Sequence, residues 1–129
     1  FWEGIRNYYA KYQNSNVLTD DFRHVMEEVS GEDLKSFFEQ WLFVKGHPQI
    51  KWNWDYSNGN INLNIQQLQD HHVFEFPLEI GVIKDGKLTI KTIELDQRNQ
   101  NIQLESKDRP DSIVLDPNEW ILSEDMGKL

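Results

Sequence analysis

The chain has 129 residues, a formal net charge of −9 and no cysteine. The lack of cysteine excludes disulfides, thiolate catalysis and cysteine-ligated zinc, and it leaves the redox compartment, and with it the localisation, undecided. The sequence has no cluster of basic residues, which argues against nucleic acid and anionic membrane surfaces as partners. Its apolar runs are also shorter than the roughly 20 residues that span a bilayer.

Two amphipathic helices are predicted in the first thirty residues. Aromatic and apolar residues recur at helical spacing from Phe1 to about Tyr12. Thr19 is a good N-cap for a second helix, and Asp20 and Asp21 follow in its first turn, where the helix dipole favours negative charge. Gly31 is expected to end this helix.

A third helix is predicted from residue 33 to about residue 45, and the chain changes character after it. Its apolar residues fall at i, i+3, i+4, i+7 and i+8, which is one face of a helix: Leu34, Phe37, Phe38, Trp41 and Leu42. Asp33 is a plausible N-cap, Gly46 a plausible left-handed C′ residue, and Pro48 prevents any continuation. The pattern predicts a helical segment over 1–48 and a separate unit over 49–129.

From Gln49 onward the hydrophobic period becomes two, which is typical of half-buried strands. Asn58-Gly59 and Asp85-Gly86 predict two tight hairpins. Pro77 lies inside an alternating run and predicts an edge strand or a bulge. Shorter segments follow, the last one near residues 120–122. The predicted fold class is therefore α+β: about three helices, then an antiparallel immunoglobulin-like β-sandwich of about seven strands.

The helical segment carries a family resemblance. The run Gly31-Glu-Asp-Leu-Lys-Ser-Phe-Phe-Glu-Gln-Trp-Leu42, closed by Gly46-His-Pro48, resembles the end of the catalytic domain in zinc aminopeptidases of the aminopeptidase N type. Tyr8-Tyr9, Thr19-Asp-Asp-Phe22 and Val29-Ser-Gly31 occur upstream in the order and spacing of that family. The resemblance implies that 1–48 are the C-terminal helices of a peptidase catalytic domain and that 49–129 are the adjoining β-sandwich domain.

The catalytic motifs of that family are missing from this sequence. Enzymes of that family, which are gluzincins, need the motif His-Glu-x-x-His. Its two histidines bind zinc, its glutamate is the general base, and a downstream glutamate is the third zinc ligand. Neither that motif nor the family's Met-Glu-Asn strand occurs here. We therefore predict no catalytic residue, no metal ligand and no cofactor in this chain, and we expect zinc in a longer parent enzyme. The opening Phe1-Trp2, in mid-helix, also predicts a fragment.

Two histidine groups are weaker metal candidates. His24 and Glu28 share a helix face at i, i+4, but a third ligand is not apparent, so an exposed side-chain pair is expected instead. His71 and His72 precede a strand in which neighbouring residues point to opposite faces, so a solvent-exposed loop is favoured over a shared metal.

Five residues are predicted to fix the β-sandwich against the catalytic domain: Trp41, Gly46, Pro48, Trp52 and Trp54. An alternative function remains open at this point. Trp52 and Trp54 lie on one strand face and could form an aromatic platform for carbohydrate or peptide on a free-standing binding module. The half-buried pattern favours the competing interpretation, in which this face is core.

The expected partners follow from the resemblance and from the distribution of aromatic residues. The missing catalytic domain of the parent is the main expected partner, and a peptide substrate is expected for the parent only. Ten of the sixteen aromatic residues lie within the first 48 positions, which is more aromatic surface than so short a segment can bury within itself. Self-association of the fragment is therefore also expected.

Overall fold

The computed structural model describes residues 1–128, and the side chains of all of these except Met126 and Lys128. The chain divides into two compact units, residues 1–45 and residues 46 to the end. No helix in the described part of the chain is long and apolar enough to cross a membrane.

The first unit is helical. Helix α1 spans Trp2–Tyr12, α2 spans Thr19–Ser30, and α3 spans Lys35–Phe38 and continues as a π-helical turn over Glu39–Phe43. The first two helices pack closely at Gly4. A side chain at this position would overlap Met26 Sδ of α2. Gly31 ends α2 in the left-handed conformation, with φ of 74°, as predicted.

The start and end of the predicted third helix need correction. Leu34 is the residue that precedes α3, and the side chain of Asp33 accepts a hydrogen bond from Lys35 N at 2.9 Å without being the cap. The π-helical turn ends at Val44, whose backbone is extended. Gly46 has a positive φ of 91° but lies beyond that end, so it is not a C′ residue.

Edge-to-face aromatic contacts and one glutamate link the helices. Tyr8 contacts Phe22 with ring centroids 5.0 Å apart, and Phe22 contacts Phe38 at 5.9 Å. Glu27 accepts from Arg23 Nη1 at 2.8 Å and from Leu34 N at 3.0 Å, which ties α2 to the start of α3. The hydrogen bond that Arg23 donates to Glu27 also raises the pKa of Arg23 above its ordinary value.

The second unit is a sandwich of two sheets. Seven strands are present: β1 Gln49–Ser57, β2 Asn60–Gln67, β3 Phe76–Lys84, β4 Lys87–Leu95, β5 Asn99–Glu105, β6 Ser112–Leu115 and β7 Glu124–Lys128. One sheet has the order β5-β2-β1-β7 and the other β4-β3-β6. The predicted α+β fold with three helices and a seven-stranded sandwich is confirmed.

Both predicted hairpins form where the turn residues accept positive φ. Asn58 and Gly59 have φ of 53° and 75°, and Asp85 and Gly86 have 49° and 71°, which is the requirement of a type I′ turn. Strand β1 therefore returns as β2 with Ser57 opposite Asn60, and β3 returns as β4 with Lys84 opposite Lys87.

Three strand details differ from the sequence prediction. The last strand is Glu124–Lys128 and not the segment near residues 120–122, and it pairs with β1 in parallel, so the sandwich is not wholly antiparallel. Pro77 lies in the central strand β3. It is nonetheless at a local edge, because β6 pairs only with residues 80–83 of that strand.

The two sheets bury one face each. Ile61, Leu63 and Ile65 of β2 and Leu78 and Ile80 of β3 are nearly inaccessible to solvent. The outer face of the four-stranded sheet carries side-chain amides. One of them is Asn64, whose side chain donates to Asn53 Oδ1 at 2.8 Å.

Two buried glutamines support the loop that joins β2 to β3. Gln67 Nε2 donates to Phe74 O at 2.8 Å, and Gln67 Oε1 accepts from Phe74 N at 2.9 Å, which mimics a strand pair. Gln69 Nε2 donates to Gln67 Oε1 at 2.6 Å and to His72 O at 3.0 Å. The buried amides thus supply hydrogen-bond partners for main-chain groups of this loop.

Candidate functional site

The five residues predicted to fix the interdomain boundary lie in both units. Trp41 belongs to the helical unit, in the π-helical turn, where its ring is tilted against Phe37 at a centroid distance of 6.4 Å. Gly46, Pro48, Trp52 and Trp54 belong to the strand unit. The structure brings these four together around the first strand, and their interdomain role stays a prediction.

Pro48 and Trp52 are both attached to the last strand. Pro48 is buried, and its carbonyl accepts from Glu124 N at 2.9 Å. Trp52 Nε1 lies 3.5 Å from Asp125 Oδ2. The entry of the chain into the sandwich is therefore held by β7, a contact that joins residues more than seventy positions apart.

The two tryptophans of β1 lie on the core face. Trp52 is opposite Ile65, and Trp54 is opposite Leu63, two of the most buried residues of the sheet. Trp52 is only 8% exposed. Trp54 is half-buried, with the Arg109 guanidinium 6.0 Å from its ring centroid. The exposed aromatic platform that a carbohydrate-binding or peptide-binding module would need is not formed, because the pleat turns these rings toward the core.

Gly46 combines a positive φ with a close neighbour. A Cβ atom at this position would lie 3.3 Å from the His71 ring. We expect Gly46→Val to lower the free energy of unfolding by about 2 kcal/mol, because a β-branched residue is strained at positive φ. Gly46→Asn is the matched control of similar size, and asparagine tolerates this conformation. Urea denaturation should therefore show a much smaller loss for Asn than for Val; equal losses would contradict the role assigned to the backbone.

The histidine candidates take separate partners. His24 Nε2 lies 3.1 Å from Arg23 Nη2, while Glu28 lies 3.8 Å from Lys11 Nζ. His72 stacks edge-to-face on Phe74 at 4.9 Å, whereas His71 lies beside Gly46. Among the described residues, no group of three or more His, Asp or Glu side chains is placed to hold a metal ion.

The helical unit has an open apolar groove of about 510 Å³. Its lining is mainly aromatic and aliphatic, from Phe1, Phe22, Met26, Val29, Leu34, Phe37 and Phe38. Trp2 is 71% exposed and Phe43 is 73% exposed. Solvent-exposed aromatic surface of this extent indicates a surface that contacts another protein segment. The sequence pattern had already placed an excess of aromatic residues here.

Comparison with known proteins relates this chain to peptidases. It is 34% identical over 50 residues to aminopeptidase N of Lactococcus lactis subsp. lactis, a match that covers 39% of this chain and 6% of the relative. It is 40% identical over 50 residues to aminopeptidase M1-D of Oryza sativa subsp. japonica, with the same coverage. No protein-family model matches the chain.

A solved structure supports the fold. The crystal structure of Legionella pneumophila aminopeptidase A in complex with aspartic acid superposes with a TM-score of 0.67 and 21% identity. The superposition covers 84% of this chain and 13% of that one. At this identity the likeness shows the fold alone.

The curated relatives that the chain matches are aminopeptidases, a group of hydrolases. The predicted resemblance is confirmed, and the chain is related to enzymes of the aminopeptidase N type. It spans about 6% of the length of the curated relatives that it matches.

Proposed function

We propose that this chain is a non-catalytic C-terminal portion of a zinc metallo-aminopeptidase that removes N-terminal residues from peptides. Residues 1–48 would be the last helices of the catalytic domain, and residues 49–129 the adjoining β-sandwich domain. The observation that carries the proposal is the exposed aromatic surface of the helical unit in a chain related to much longer aminopeptidases. In the full-length enzyme, the rest of the catalytic domain would pack on this aromatic surface.

The proposed role of the chain is to support that domain. Zinc would be held by the parent outside these residues, since the described side chains offer no set of three ligands. Trp41, Gly46 and Pro48 are close along the chain to residue 45, where the first unit ends, and Trp52 ties the first strand to the last. Each of them would act by holding the sandwich in shape or in place, without contact to substrate.

Activity measurements on the purified chain test this proposal. We expect no release of chromophore from aminoacyl anilides of several side-chain types, with or without added zinc, because the sequence has no His-Glu-x-x-His motif to bind zinc and to supply the general base. A full-length aminopeptidase assayed beside it serves as the positive control. Zinc-dependent turnover by the pure chain would overturn the proposal.

The free-standing binding module is the weaker candidate. It requires both indoles of β1 at the surface, and Trp52 is buried against β2 and β7. Titration with oligosaccharides or peptides should accordingly leave the fluorescence of Trp52 unchanged.

A further inference from the structure

Strand β4, Lys87–Leu95, is an edge of the three-stranded sheet, and half of its backbone faces outward. The two-residue turn Asp85-Gly86 makes Lys84 and Lys87 a hydrogen-bonded pair, so every second residue after Lys87 bonds to β3. Residues 88, 90, 92 and 94 then direct N–H and C=O away from β3. Their partners on β3 agree with this register, because Glu79 O and Ile83 O accept from Asp116 N and Asp111 N on the far side, each at 2.8 Å.

At both ends of the strand, the outward backbone groups are not available for pairing. The hairpin turn precedes Leu88, and Gln100 Nε2 donates to Glu94 O at 2.7 Å. Between them, nothing in residues 1–128 hydrogen-bonds to the outward backbone groups of Leu88, Ile90 and Thr92. The open stretch is therefore residues 88–92, and Ile90 is its centre.

The same stretch has apolar side chains at the surface. Leu88 is 51% exposed and Ile90 is 40% exposed. The neighbouring Lys91 side chain is drawn across to the other sheet, where its Nζ donates to Glu105 O at 2.6 Å.

We propose that two copies of this chain pair through β4, antiparallel, with Ile90 opposite Ile90 and Leu88 opposite Thr92. This register uses the whole open stretch of both copies and completes six backbone hydrogen bonds. It also places four apolar side chains, from Leu88 and Ile90 of each copy, in one strip.

Charge and the Gln100 contact disfavour the adjacent symmetric registers. Centring the pair on Lys91 would place Lys91 opposite Lys91 and would require the Glu94 backbone that Gln100 occupies. Centring it on Thr89 would place Lys87 opposite Lys91. The register centred on Ile90 therefore fits this edge better than the registers centred on Thr89 or Lys91. This inference is independent of the proposed function.

Single cysteines test the register, because the chain has none of its own. In the proposed pair the two Ile90 Cα atoms are about 5.5 Å apart, a spacing that a disulfide spans. Ile90→Cys should therefore give a covalent dimer on mild oxidation. Thr92→Cys is the matched control, since the two Thr92 Cα atoms would be roughly 13 Å apart or more. Equal cross-linking of both variants, or none of Ile90→Cys, would overturn the proposal.

A charge substitution tests the contribution of the edge. Ile90→Lys should weaken dimerisation at least about tenfold, because like charges would face each other. Val114→Lys is the matched control: Val114 is 38% exposed and lies on the opposite edge of the same sheet, across Gly81 from Ile90. Sedimentation equilibrium should show a changed dissociation constant for Ile90→Lys alone, with unchanged circular dichroism. If both variants associate as tightly as the unsubstituted chain does, association occurs through another surface and the proposal fails.

Discussion

Replacing Gln67 by leucine is expected to lower the free energy of unfolding of the strand unit by about 3 kcal/mol. Leucine keeps the volume but removes the hydrogen bonds that Gln67 accepts from Phe74 N and from Gln69 Nε2 and the one that it donates to Phe74 O. Each lost bond costs about 1 kcal/mol, and more where a buried polar group is left behind. Urea denaturation followed by circular dichroism in the strand band measures the change.

The neighbouring glutamine provides the control. Gln66 lies on the opposite, more polar face of β2 and is half-buried, so Gln66→Leu should change stability by about 0.5 kcal/mol or less. If Gln67→Leu is as stable as Gln66→Leu, the buried amides do not support the loop in the way the distances indicate.

Replacing Trp52 by alanine is expected to cost about 3–5 kcal/mol, which is the range for removing a large aromatic residue from a core. The indole packs on the buried face of the four-stranded sheet and contacts Asp125 of β7. Because β7 depends on β1 for its pairing, we also expect amides of residues 124–128 to exchange faster with solvent.

Trp120→Ala is the matched control for that substitution. Trp120 is 73% exposed, so its removal should change stability by about 0.5 kcal/mol or less. A small effect of Trp52→Ala, together with a loss of affinity for some saccharide or peptide, would instead favour a binding role for the β1 tryptophans.

Local chemistry made much of this fold predictable. Asn58-Gly59 and Asp85-Gly86 determine their hairpins through their own φ preferences, and the alternation of Trp52 and Trp54 with polar residues determines the face of β1. These signals lie within a few residues of one another, so the sequence alone displays them.

The remaining features depend on residues far apart in the chain. Strand β7 is acidic and short, and only its pairing with β1 makes it a strand. The polar sequence around Gln67 and Gln69 reads as exposed, but the loop that folds back over them buries both. The π-helical turn at Glu39–Phe43 likewise carries the same apolar spacing as an α-helix, so the pattern predicted one.

The candidate site was predictable mainly by what it lacks. The absence of His-Glu-x-x-His from the sequence and the excess of aromatic residues before Pro48 are the two observations from which a supporting piece of a larger enzyme was predicted. The open edge of β4 could not be predicted, because it depends on the strand order and on the contact between Gln100 and Glu94.

Zinc content tests the central proposal most directly. The protein expressed from the complete reading frame that contains these residues, and this chain alone, would be loaded with zinc, dialysed and analysed by mass spectrometry for metal per polypeptide. Under the central proposal we expect about one tightly held zinc in the complete protein, as a catalytic site requires, and far less than one in this chain. One tightly held zinc in this chain, or none in the complete protein, would contradict it.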